Sequence, residues 1–239
     1  MCDYLGKRAT RKVKREGFIE EEEFDSILME RYGVTEEELQ EDIERSGMRG
    51  GYRRTQADIR LPDGKSVTLY AEEEGEYQVF DYLEGLAPEV VFQIWANMDN
   101  RRAIGSLIRY PGEQHEWLMV AALPFLREME IPLRWMKEFR TPIGQCHFHY
   151  TDKDGQDQMG IHGGPGSGLM HIDLLRCYTC AYKQVDSGKC KPGHASGQAI
   201  ANNLVRFVVQ HYKEAGEAPE ALMKLINKLM QMKWIGGKV

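Results

Sequence analysis

Residues Gln145 to His194, QCHFHYTDKDGQDQMGIHGGPGSGLMHIDLLRCYTCAYKQVDSGKCKPGH, decide how this chain is read. The stretch holds four of the five cysteines (Cys146, Cys177, Cys180, Cys190) and five of the seven histidines (His147, His149, His162, His171, His194). Gly144 to Tyr150 alternates polar with apolar, Asp152-Lys153-Asp154-Gly155 supplies a turn, and a returning strand runs to about His162. Leu169 to Thr179 is apolar and bulky and reads as a central strand. On such a strand His171, Asp173 and Cys177 share one face, a chemically rich set for a core element. In the bland alternative Asp173 is a surface carboxylate and Cys177 a small core residue.

Working outward, Gln56 to Leu61 and Ser66 to Tyr70 alternate on either side of Pro62-Asp63-Gly64, a second hairpin. Pro88 sits where a first helical turn tolerates it, with Val90, Val91, Ile94 and Trp95 following at helical spacing, and Met98-Asp99-Asn100 closes that helix. Ala103 to Tyr110 fits strand or helix. Residues 114–139 carry a helical apolar pattern interrupted by Pro124 and Pro132. Ser196 to Lys213 and Pro219 to Met232 are amphipathic helices, with His211 on the apolar face as a packing residue. Hairpins interleaved with helices predict an α+β fold, an antiparallel sheet flanked by helices. The N-terminal part is different: a basic block (Lys7, Arg8, Arg11, Lys12, Lys14, Arg15) precedes the acidic run Glu20 to Glu23, and Thr35 and Glu38 have capping-box spacing. Residues 1–50 are therefore read as a charged helical segment, and residues 51–239 as the core domain.

The net charge of −6 argues against a general nucleic-acid binder. No apolar run is long enough to cross a bilayer, and the basic N-terminus lacks the apolar core of a secretory signal. An odd number of cysteines without such a signal predicts a reducing, cytoplasmic setting.

Cys177-x-x-Cys180 followed by Cys190-x-x-x-His194 has spacing that suits one zinc ion, with the Gly188 to Gly193 loop folding back to deliver the second pair. Four ligands would close a structural tetrahedron. Fewer cysteines together with His162 or His171 would leave a catalytic position open, and a metal-free dithiol is the third reading. Beside this set, Gly163, Gly164, Gly166, Ser167 and Gly168 form a loop whose backbone N–H groups and hydroxyl suit a polar or anionic small ligand.

Ile161-His162-Gly163-Gly164-Pro165-Gly166-Ser167-Gly168, followed by Ile172-Asp173-Leu174-Leu175 and then Cys177 or Thr179-Cys180, resembles the core of the bacterial and archaeal S-adenosylmethionine decarboxylases. The resemblance covers about twenty of the 239 residues. It implies a related fold, with His162 and Cys177 or Cys180 (the proton-donor position) as the transferable residues. That family self-cleaves at a Glu-Ser to make a pyruvoyl group. This chain has Gln156-Asp157-Gln158 there, so the pyruvoyl chemistry is not expected. The His162-Gly163-Gly164-Pro165-Gly166 run is also similar to the oxyanion loop of proline iminopeptidases, but no Gly-x-Ser-x-Gly elbow accompanies it.

Three function classes follow. One is an enzyme on a small polar metabolite, using His162, His171, Asp173 and Cys177. The second is a zinc-stabilised module that binds a protein partner, or a second copy of itself, through residues 1–48. The third is a dithiol redox protein, which lacks its usual β-α-β context.

Overall fold

The computed structural model describes residues 19–39, 54–71, 78–152 and 154–232. In chain order these form α1 (Glu21–Tyr32), β1 (Gln56–Arg60), β2 (Ser66–Tyr70), α2 (Val79–Gly85), α3 (Pro88–Ala96), α4 (Met98–Arg109) and β3 (Gln114–Glu116). They continue with α5 (Leu123–Glu128), α6 (Trp135–Glu138), β4 (Arg140–Pro142), β5 (His147–Thr151), β6 (Asp157–Ile161), α7 (Ser167–Asp186), α8 (His194–His211) and α9 (Glu220–Met230). The class is α+β, as the interleaved patterns predict. The strands, however, form three separate antiparallel pairs, β1–β2, β3–β4 and β5–β6, rather than one sheet. None of the described helices is long and apolar enough to cross a membrane.

The two expected hairpins form where their alternation and turn residues place them. Pro88 opens α3, and the two terminal helices run close to their expected limits. The Thr35–Glu38 capping box is present: Glu38 N–H donates to Thr35 Oγ1 and Thr35 N–H donates to Glu38 Oε2. Three readings change. Met98 to Asn100 opens α4 instead of closing α3, because the Asn97 side chain accepts the Asn100 N–H as an N-cap. Gln114 to Glu116 is a strand within a stretch read as helical.

The largest correction is Leu169 to Thr179, which is not a strand but the first half of the helix α7. Residues 170–179 are all buried. A helix buried on every side has no polar stripe, so its sequence looks like that of a central strand. The helical signs were the run's uninterrupted length to Asp186 and the spacing of Met170, Leu174, Tyr178 and Tyr182, all fully buried or nearly so.

Around α7 the aromatic rings knit the elements together. Tyr32 of α1 stacks on Phe125 of α5 at 4.9 Å, and Phe125 stacks on Tyr182 of α7 at 4.5 Å. Tyr32 also donates to the Ala121 carbonyl, and Glu36 pairs with Arg176 of α7 at 2.8 Å with both side chains buried. Residues 19–39 are therefore built into the core. The basic block at Lys7 to Arg15 lies outside the described residues.

Close packing requires glycine at two positions here, Gly166 in the loop between β6 and α7 and Gly160 in β6, while Gly163 faces open space. Gly166 has φ 80°, and a Cβ there would come within 2.5 Å of the Tyr150 ring. At Gly160 a Cβ would meet Phe148 at 2.7 Å. We predict that Gly166→Ala lowers stability by about 1–3 kcal/mol in urea unfolding. Gly144→Ala, at a site with nothing within 4 Å, is expected to cost clearly less. Equal losses would contradict this packing account.

Candidate metal centre

Three histidines from three separate elements meet beside the N-terminal end of α7. His115 comes from β3, which pairs with β4 so that His115 lies opposite Thr141. Its ring stands edge-on to Trp117 at 4.4 Å, and the Trp117 indole N–H donates to Thr141 Oγ1 at 2.8 Å. The neighbouring Glu116 accepts from Arg109 Nε at 2.7 Å, which ties β3 to α4. His162 directly follows β6, and its backbone N–H donates to the Cys146 carbonyl at 3.0 Å, which extends the β5–β6 ladder by one step. His171 lies in the second turn of α7.

The three rings are 4.8 to 5.2 Å apart between centroids. One ring nitrogen from each falls within 4.8 Å of the other two. His162 Nε2 and His171 Nε2 are 3.1 Å apart. Two imidazole nitrogens on a tetrahedral zinc, with bonds of about 2.0–2.1 Å, are about 3.3 Å apart. His171 Nδ1 lies 2.8 Å from the Ser167 carbonyl, and since a carbonyl only accepts, Nδ1 carries the proton. The lone pair of His171 is thereby left on Nε2, facing His162, the outer-shell arrangement usual for metal-ligating histidines. His115 Nε2 is buried with no hydrogen-bond partner among the described residues.

Electrostatics keep this group neutral. Burial drives His115 well below its ordinary value of 6.5, helped by His171, His162 and Arg109. Burial, then His162, lowers His171 to about 3. His162 is also lowered, by burial first, with Glu116 opposing and Arg109 adding to the shift. Neutral imidazoles have free lone pairs, so a metal need not displace protons to bind.

The other expected site residues lie elsewhere. On α7 each residue turns by 100°, so His171 and Asp173 leave the helix on different faces, not on the shared face a strand would give. Asp173 is buried, and its Oδ2 meets His211 Nε2 at 3.2 Å and Gln210 Nε2 at 3.1 Å. His211 donates through Nδ1 to the His149 carbonyl at 2.9 Å, so it is a fully engaged packing residue. Cys177 Sγ sits against the carbonyls of Asp173 and Asn203, and burial, then Asp173, pushes its thiol well above the usual range. Burial favours the neutral thiol over the thiolate at this position.

Cys177, Cys180, Cys190 and His194 do not converge on one point. Among the described residues the three histidines alone form a group close enough to share an ion. The reason is again the helix. Cys177 lies nine residues before its end at Asp186, roughly 14 Å of rise, while Cys190 and His194 follow that end. Loop residues Gly163, Gly164 and Ser167 turn their N–H groups inward, onto Ser167 Oγ, the Ile161 carbonyl and the Gly164 carbonyl.

His115 is the member of the cluster that the sequence reading missed. It lies thirty residues before the Cys/His-rich stretch, on a three-residue strand too short to show alternation. The one available sign was a histidine two residues ahead of the apolar run that starts at Trp117. No known protein-family model matches the chain, and neither the curated proteins nor the solved structures offer a match.

The depressed histidines predict acid lability. An unfolded histidine takes up a proton near pH 6.5, while these rings stay neutral in the fold, His171 down to about pH 3. The unfolded chain then binds more protons, and stability falls as the pH drops below 6.5. Urea midpoints of metal-free protein should decrease from about pH 7.5 to about pH 5.5, and His171→Gln should reduce that decrease. A midpoint that does not change with pH would contradict the burial of neutral rings.

Proposed function

We propose that this protein binds one zinc ion through His115, His162 and His171 and uses it as an enzyme on a small polar metabolite. The observation that carries the reading is His115 Nε2, buried without a partner beside two other neutral imidazoles. Leaving such a nitrogen unsatisfied costs about 1–3 kcal/mol, and a bound cation would remove that cost. A His162–His171 hydrogen bond satisfies those two rings without metal, but it leaves His115 unsatisfied.

Three neutral protein ligands suit an open site, with water or substrate in the fourth position. A divalent ion held by His115, His162 and His171 would keep its charge uncompensated and would lower the pKa of bound water to about 7, supplying a nucleophile near neutral pH. Hydrolysis or hydration of a small polar substrate is the reaction class that this chemistry supports. Asp173 and Cys177 have no part in it, being committed to α7–α8 packing. A second reading, a zinc-stabilised module, draws on one observation: the ligands come from β3, the end of β6 and α7, so an ion would cross-link three elements.

Isothermal titration of chelator-stripped protein should give about one zinc per chain. His115→Gln and His162→Gln should each weaken binding by about 100-fold or more, while Cys177→Ala/Cys180→Ala keeps full stoichiometry. Zinc lost with the cysteines and kept without the histidines would overturn the assignment. If the stripped chain remains folded, the enzyme reading is favoured over the module.

A further inference from the structure

Ser167 is the first residue of α7 and is buried. A serine at a helix start usually caps the helix by accepting one of its N–H groups. Here the N-cap is Gly166, and no side chain caps α7. The Ser167 hydroxyl instead turns back and accepts the Gly163 N–H at 3.0 Å, one residue after His162. Its backbone carbonyl accepts His171 Nδ1–H at 2.8 Å, and its Oγ lies 3.4 Å from the same nitrogen. One residue thus touches the backbone that orients one proposed ligand and the ring of another.

We infer that Ser167 is a positioning residue of the metal centre, holding His162 and His171 at chelating distance through its hydroxyl and its carbonyl. The inference rests on the reading of the three histidines as zinc ligands. His162 and His171 are nine positions apart in sequence, and the loop joining them turns through Gly163 and Gly166, both at φ 80°. Such a loop has the freedom to present His162 in several orientations unless something fixes it. The His162 N–H bond to the Cys146 carbonyl fixes one side of it, and the Ser167 hydroxyl, on the Gly163 N–H, is the side-chain contact that fixes the other. Removing it leaves the carbonyl contact to His171 intact, because that contact belongs to the backbone. The loss therefore falls on the mutual placement of the ligands and not on the helix, which the hydroxyl does not cap. Outer-shell partners of metal-bound histidines typically contribute 10- to 100-fold in affinity.

The test is zinc affinity of the full-length, chelator-stripped chain, measured by competition with a chelating dye, together with the thermal midpoint of the metal-free chain. Ser167→Ala should bind zinc about 10-fold more weakly or worse, with its metal-free midpoint unchanged. Ser167→Thr, which retains the hydroxyl, should restore most of the affinity. Wild-type affinity in Ser167→Ala would overturn the inference while leaving the zinc site standing. A Ser167→Ala chain that unfolds or melts early without metal makes the residue structural and also overturns it. Wild-type protein that binds no zinc would instead remove the reading of the histidines themselves.

Discussion

Helix α7 is buried on every side across residues 170–179, and that burial sets the chemistry of everything attached to it. Met170, Leu174 and Tyr178 have no exposed surface, and α1, α5 and α8 pack around them. A polar side chain on such a helix must find a partner or carry a desolvation cost. Arg176 finds Glu36, and Asp173 finds His211 and Gln210. Asn203 of α8 donates to the Cys177 carbonyl, and Tyr178 donates to the Trp117 carbonyl.

His171 receives only part of this treatment. Its Nδ1 is satisfied by its own helix, while its Nε2 points towards His162 and its ring lies against that of His115. The β3–β4 pair and the β5–β6 hairpin do not join into one sheet, and each brings one histidine to the end of the helix. Their rings stay neutral because of where the core forces them to be. A cluster of desolvated imidazoles that leaves His115 Nε2 without a partner among the described residues costs stability. A cation bound there, as proposed, would remove that cost. Gly166 then has a packing role, since it lets the loop between His162 and His171 settle on the Tyr150 ring.

Much of this was legible in the sequence, for physical reasons. The hairpins at 56–70 and 147–161 announce themselves because each has one buried and one wet face around a turn with fixed chemistry. The last two helices do so because they lie at the surface and keep a polar stripe. Full burial erased that contrast in α7, so Asp173 and Cys177 were assigned a strand face shared with His171 that the helix does not have. The position of the candidate site near His162 and His171 was readable from local density of ligand-type residues. Its composition was not, because a Cys-x-x-Cys pair closes a four-ligand site only where the second pair of ligands can reach the same point. Cys177 and Cys180 lie inside α7 while Cys190 and His194 follow its end, and the third histidine of the cluster, His115, is brought in by a distant three-residue strand.

X-ray absorption at the zinc K-edge of the metal-loaded protein tests the central claim most directly. Three imidazole ligands predict nitrogen or oxygen scatterers alone, at about 2.0–2.1 Å, with the outer-shell pattern of histidine rings. A sulfur shell at about 2.3 Å would place the metal on Cys177, Cys180 or Cys190 and contradict the account.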